Sequence, residues 1–234
     1  MITDFHSHIL PNVDDGSDSV ETSVQMLKLC AEQGITRVIA TPHFYPQSDK
    51  PQRFLERRAN SEALLRAEMA KHEGLPEVVV GAEVYYFRGI AESDILPGLT
   101  IGGKKCILIE MPNTKWTDYM YRDLADIWHK RGLIPVVAHL DRYLRPWHAK
   151  ADVQRLEEMP VYIQMNAEAF LDRSMAKRML RLMRNGNVHL LGSDCHDMQS
   201  RKPNLDKAMQ KITESLGEDA LTQVQRWESK VLAD

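Results

Sequence analysis

The sequence predicts an α/β fold, specifically a distorted (β/α)7 barrel. Three observations point to it. Short runs rich in Val, Ile and Leu recur along the chain. Most are near-continuously apolar, as strands covered on both faces must be. Helical patterns separate them, and strands alternating with helices favour a parallel sheet. An open doubly wound sheet is the alternative reading of the same alternation.

The elements follow in order. Ile2–Phe5 is a strand that runs into His6-Ser7-His8. Ser19–Gln33 carries Val20, Val24, Leu27 and Cys30 on one helical face, and Gly34 is placed to stop it. Thr36–Thr41 is the second strand. A Pro-punctuated loop, Pro42–Pro51, leads to the charged helix Arg53–His72. Val78–Ala82 is the third strand. Ile95–Lys105 reads as a loop before the strand Cys106–Glu110. The helix Thr117–Arg131 ends before Gly132. Ile134–His139 is followed by the short helix Ala151–Glu158. Val161–Asn166, the helix Ser174–Arg184 and Val188–Ser193 complete the alternation. Asn204–Leu216 and Asp219–Leu232 are closing helices. No linker, repeat or low-complexity tract divides the chain, so residues 1–234 read as a single domain.

Composition narrows the function. The chain has 234 residues, of which 43% are hydrophobic, enough for a substantial core. Its 30 basic and 33 acidic residues give a net charge of −3, which argues against nucleic acid or an anionic membrane as the main partner. No apolar run approaches the ~20 residues of a spanning helix. The N-terminus lacks the pattern of a signal peptide. Cys30, Cys106 and Cys195 are few and widely separated, which fits a reducing cytoplasm.

The chemistry lies where the strands end. His6 and His8 are two apart, and alternate strand residues face the same way, so both can grip one ion. Asp15 follows them. Later strands end in Thr41-Pro42-His43, Gly81-Ala82-Glu83, Ile109-Glu110, Ala138-His139 and Ser193-Asp194-Cys195-His196. Five histidines and four carboxylates thus sit at or just past the C-terminal strand ends, where barrels build active sites. Nine ligands exceed the need of one metal, so two or three ions are expected. With three divalent ions the set is left at roughly +2, which suits an anionic substrate such as a phosphate ester. Arg142 and Arg201 lie close behind His139 and His196, and a guanidinium can grip two phosphate oxygens. His72 and His129 fall in charged helices, and His189 falls at the opposite strand end. His148, beside Arg145 and Trp147, is a candidate for the pocket rim.

These motifs, together with Asp14-Asp15-Gly16, Arg142-Tyr143 and Gln164-Met165-Asn166-Ala167, resemble the PHP (polymerase and histidinol phosphatase) superfamily. Within it the chain is most similar to the bacterial protein-tyrosine phosphatases of capsular and exopolysaccharide loci, the CpsB/YwqE type. The likeness covers almost the whole chain. It implies a PHP-type barrel and a centre of three divalent ions, usually described with manganese (iron, zinc, cobalt or magnesium being alternatives). It also implies hydrolysis of phosphotyrosine on a bacterial tyrosine kinase. By position, His6, His8, Asp15, His43, Glu83, Glu110, His139, Asp194 and His196 match metal ligands, with Glu83 as the bridging carboxylate. Arg142 and Arg201 match phosphate-contacting arginines. Two stretches depart from the pattern. Leu140-Asp141 stands where Pro-Glu is usual, and Glu168 and Ala169 replace small residues after Asn166-Ala167. Both bear on the pocket rim and hence on substrate choice.

A phosphotyrosine leaving group is a phenolate, of pKa near ~10, so a strong general acid is not required. Asp197 and Asp141 are the candidates for one. Cys195 and Arg201 show the spacing of cysteine-dependent tyrosine phosphatases. However, the five residues between them include no glycine to let backbone N–H groups cradle a phosphate. A small-molecule PHP phosphatase, for histidinol phosphate or a nucleotide, would use the same centre. A non-catalytic binding module has no need of nine ligands, and an exonuclease suits neither the charge nor the short loops.

Overall fold

The computed structural model describes residues 2–145 and 151–233. His148, expected at a pocket rim, lies outside the described residues. The fold is mixed α/β, built on a curled sheet in which every strand pairing is parallel. The strands are β1 (Thr3–Ser7), β2 (Arg37–Ala40), β3 (His43–Phe44), β4 (Glu77–Val80), β5 (Glu83–Tyr85), β6 (Cys106–Glu110), β7 (Ile134–Val137), β8 (Tyr162–Asn166) and β9 (Leu190–Gly192). Hydrogen-bonded neighbours run β1-β2-β4 and β3-β5-β6-β7-β8-β9. Just past β9 the chain touches β1 again. The N–H of Asp194 donates to His6 O, and the N–H of His8 donates to Cys195 O, both at 2.8 Å.

Two strands were not expected. β3 lies within the stretch read as a loop, and β5 continues β4 after a break at Gly81-Ala82. Two or three residues are too short to show a periodicity. The breaks sit side by side, since the Glu83 N–H donates to Pro42 O at 3.0 Å. Ile95–Lys105, also read as a loop, holds the short helix α3 (Leu96–Leu99) and a 3-10 turn at Ile101–Gly103.

The remaining helices are α1 (Val20–Glu32), α2 (Pro51–Met69), α4 (Asp118–Arg131), α5 (Val153–Glu157), α6 (Ala167–Leu171), α7 (Ala176–Arg184), α8 (Leu205–Leu216) and α9 (Glu218–Val231). Ser19 caps α1, its Oγ accepting the Thr22 N–H at 3.1 Å. Gly132 ends α4 at φ 64°, a left-handed conformation that favours glycine.

Strand alternation divides the apolar residues into two cores. Phe5, Ile39, Cys106, Leu108, Val136, Ala138 and Leu190 meet on the inner face of the curled sheet. Ile101 and Val231 join them, so the 3-10 turn and the end of α9 help fill this interior. On the outer face Val38, Ile107, Ile109, Val137, Ile163, Met165 and Leu191 pack under the helices. Cutting back any of the large buried residues would cost about 2–5 kcal/mol. The closing helices therefore belong to the body of the fold: α8 packs on α6 and α9, and α9 packs on β9. This rigid frame presents the C-terminal strand ends at one mouth.

Candidate metal centre

The structure brings all nine residues read from the sequence as candidate ligands to that mouth. His6 ends β1 beside Ser7, and His8 follows. His43 opens β3, Glu83 opens β5 and Glu110 closes β6. His139 and Asp194 follow β7 and β9 in left-handed backbone, at φ 33° and φ 54°. Non-glycine residues rarely adopt that region, and such strain is characteristic of functional positions. Asp15 reaches in from the loop after β1 and is 67% exposed, whereas His6, His8, Glu83 and His139 are fully buried. Glycine allows the close approach. A Cβ at Gly16 would lie 2.4 Å from His8 Cβ, and one at Gly192 would lie 2.6 Å from His6 Cβ.

The candidate ligand atoms form three corners. In the first, His6, His8 and Asp194 converge, and in the second His8, Asp15, His43 and His196. The third joins His43, Glu83 and Glu110. Within each corner the candidate atoms lie within 4.8 Å of one another. His139 joins the third, its Nε2 2.7 Å from Glu83 Oε1 and 3.8 Å from Glu110 Oε1. Glu83 is the hub. Its Oε2 lies 3.2 Å from His6 Nε2, 3.4 Å from His8 Nε2 and 3.0 Å from His43 Nδ1. Asp15 Oδ1 is 3.6 Å from the Nε2 atoms of both His43 and His196.

The donor set fits cations better than it fits itself. His6 Nδ1 faces Gln164 Oε1 at 3.2 Å, and that oxygen already accepts the His139 N–H at 2.6 Å. His8 Nδ1 faces Asp14 Oδ2 at 2.7 Å. Both partners are acceptors, so both Nδ1 atoms carry hydrogen. In the neutral rings both Nε2 atoms then present lone pairs, and these lie only 3.2 Å apart. A shared cation turns that repulsion into coordination. His43 Nδ1, Glu83 Oε2, Glu110 Oε2 and His196 Nε2 are buried without any hydrogen-bond partner, an arrangement that needs an explanation. Ligation supplies one.

Residues 2–232 match the model of the family described as "Capsular polysaccharide synthesis, CpsB/CapC". The chain belongs to the CpsB/CapC family. It is 27% identical over 232 residues to the tyrosine-protein phosphatase CpsB of Streptococcus agalactiae, covering 94% of this chain and 93% of that one. It is 27% identical over 221 residues to the tyrosine-protein phosphatase YwqE of Bacillus subtilis, covering 92% and 85%. Among solved structures it superposes at TM-score 0.83 and 24% identity on a chain from work on YwqE of B. subtilis and CpsB of Streptococcus pneumoniae. Those proteins are described as unique metal-dependent tyrosine phosphatases, and the match covers 98% of this chain and 94% of that chain.

The electrostatics of this CpsB/CapC centre follow from burial and neighbours. Burial disfavours the charged form of His6, but Glu83 and Asp194 outweigh it and raise the pKa. Burial opposes protonation of His8 as well. There Asp14, Asp194 and Glu83 prevail, and the pKa rises well above its ordinary value. A divalent ion would replace those protons. Burial pushes Glu110 up to about 7, with the Glu83 charge acting in the same sense. Burial also opposes ionisation of Asp194, yet His6, His8 and Arg142 hold it well below the carboxylate range. Arg142 and Arg201 converge on Asp194: Arg142 donates to Oδ2, and Arg201 donates to Oδ1 at 2.9 Å.

Several supporting residues were not assigned from the sequence. Asp14 orients His8 and also accepts the His43 N–H at 2.8 Å. Gln164 contacts His6 and His139, and Asn166 Nδ2 donates to Asp194 at 2.8 Å. Asp14, Gln164 and Asn166 stood in the motifs, but nothing in a linear pattern separates a ligand from its support. Tyr45 stacks on His43 with ring centroids 4.9 Å apart, and no sequence signal marked it.

Cys195 is poorly placed for a nucleophile. It is 0% exposed, burial pushes its thiol well above the ordinary value, and Arg201 turns to Asp194 instead. Asp197 is occupied in its own turn, accepting the N–H groups of Gln199 and Arg201 and the Ser200 hydroxyl. His189 lies away from the mouth, packed edge-on against Tyr162 and Trp227.

Proposed function

We propose that this chain is a metal-dependent protein-tyrosine phosphatase that removes phosphate from a bacterial tyrosine kinase in capsule or exopolysaccharide regulation. The observation that carries this reading is the convergence of His6 Nε2 and His8 Nε2, 3.2 Å apart, on the buried carboxylates of Glu83 and Asp194. Family membership supplies the phosphotyrosine. Three ions, one at each corner, are the natural occupancy, and manganese is our choice of metal. His6, His8, Asp15, His43, Glu83, Glu110, His139, Asp194 and His196 would hold them, with Glu83 shared between corners. We also read the curled sheet as a distorted (β/α)7 barrel of PHP type, with β2 and β3, and likewise β4 and β5, as single broken staves. Residues 1–234 are then one catalytic domain. Among the described residues no helix is long and apolar enough to cross a membrane, and we place the protein in the cytoplasm.

When bound, the ions supply Lewis acidity and make water nucleophilic at neutral pH. The chain's own residues do the rest. Arg142 and Arg201 sit at the edge of the centre, where their guanidinium donors can take phosphoryl oxygens and offset charge that develops as the P–O bond breaks. Asp194 holds both arginines in place. Gln164 and Asp14 keep His6 and His8 in the ligating tautomer. The tyrosine oxygen departs as a phenolate, which asks little of a general acid.

A substrate panel tests the reading. With Mn2+ added, a phosphotyrosine peptide is expected to be hydrolysed well ahead of the matching phosphoserine peptide and of histidinol phosphate. Preference for histidinol phosphate would contradict it.

A further inference from the structure

We propose that the cavity beside Arg142 and Arg201 is a subsite for an anionic side chain flanking the phosphotyrosine of the substrate protein. This rests on the phosphatase reading above. The cavity has a volume of about 320 Å³ and opens directly off the centre, with Asp194, Arg142 and Arg201 in its wall. That is the low end of ligand-pocket sizes, roughly 300–1,000 Å³, and suits one side chain rather than a second substrate.

Arg142 and Arg201 are paired with Asp194, but part of the cavity's positive charge is unpaired. Lys202 and Lys207 line it, both exposed, and neither makes a hydrogen bond or ion pair among the described residues. Arg145 adds a third exposed cation. The wall carries five cations (Arg142, Arg145, Arg201, Lys202 and Lys207) against four acids (Asp141, Glu168, Asp172 and Asp194), and neutral donors hold Asp141 and Asp172 in place without cancelling their charge. Asp172 accepts both the N–H and the hydroxyl of Ser174 at 2.7 Å. Asp141 is buried and accepts the Asn166 N–H at 3.0 Å. Glu168 alone stays exposed and unpaired among the described residues. Leu171, 38% exposed, and Met175 offer an apolar strip for the stem of an entering side chain.

Of the residues at which this chain departs from the motifs it resembles, Asp141, Glu168 and Ala169 line the cavity and Leu140 does not. Two sources of the anion share this chemistry: a Glu or Asp side chain, and a second phosphotyrosine.

The test measures kcat/KM for three phosphotyrosine peptides that differ at neighbouring positions: neutral, glutamate-bearing and doubly phosphorylated. The Mn2+-loaded enzyme and its K202E/K207E variant are compared, with p-nitrophenyl phosphate as a flank-free control. An anionic peptide is expected to exceed the neutral one by roughly tenfold, and the variant to lose most of that ratio. The better of the two anionic peptides identifies the source. The ratio should shrink at high salt, because rim charges are screened. Equal rates for all three peptides, or a ratio that survives in the variant, would overturn the subsite while leaving the phosphatase reading intact. Failure to hydrolyse even p-nitrophenyl phosphate would instead strike at that reading.

Discussion

Asp14 Oδ2 lies 2.7 Å from His8 Nδ1, and this contact decides which nitrogen of His8 faces the centre. The carboxylate accepts a hydrogen bond from Nδ1–H and leaves Nε2 turned to the centre. Partners of this kind typically contribute 10–100-fold in metal affinity. Asp14→Ala should therefore weaken Mn2+ binding by about that factor while the fold survives, as read by metal titration and circular dichroism. Unchanged affinity would remove Asp14 from the account.

Arg142 and Arg201 should matter for turnover more than for metal. Each is a charge-assisted donor beside Asp194. Loss of one such donor costs on the order of 10²–10³ in kcat. Arg142→Ala and Arg201→Ala are each expected to show that loss with metal content near that of the parent, by elemental analysis alongside steady-state kinetics. Lysine should rescue only in part, because it lacks the two-pronged guanidinium.

Cys195 provides a sharp negative prediction. It is wholly buried in the outer core, where its thiol stays protonated. Cys195→Ser should keep kcat within about threefold, a change of under 1 kcal/mol in barrier. Near-complete loss of activity with metal retained would restore the cysteine mechanism.

Glu228 on α9 gives a prediction about stability. It is 5% exposed, and burial pushes its carboxyl up to about 7 from the usual 4.5. The native state therefore holds the proton more tightly than the unfolded chain does. Its contribution is fully present below about 4.5 and is lost as pH rises through about 7, on the order of a few kcal/mol in all. Glu228→Gln should raise Tm relative to the parent at pH 8 and leave it nearly unchanged at pH 4, measured on protein freed of metal. An equal shift at both pH values would contradict this origin.

Much of this geometry was legible in the sequence because the candidate ligands stand at strand ends, and strand ends can be read from apolar runs. Cys106–Glu110 is a strand over those same residues, and His6 and His8 face one way because alternate strand residues do. Other features left no linear trace. β3 and β5 are too short for a pattern, yet their breaks bring His43 Nδ1 within 3.0 Å of Glu83 Oε2. The left-handed turns at His139 and Asp194 have no fixed signature in the sequence, although Asp and His adopt that region more readily than most residues. Gln164 meets His6 across 158 residues of chain, a contact no local spacing reveals. Nothing in the pattern of the closing helices showed where they would pack, yet Val231 fills the interior of the sheet.

The most direct test of the central claim is a titration of chelator-stripped protein with Mn2+, following hydrolysis of a phosphotyrosine peptide. Activity is expected to be absent at the start, to rise only as more than one ion binds, and to vanish again with chelator. In Glu83→Gln, which weakens the hub, it should fail to recover. Full turnover by the stripped protein, or an unaltered titration in Glu83→Gln, would contradict the account.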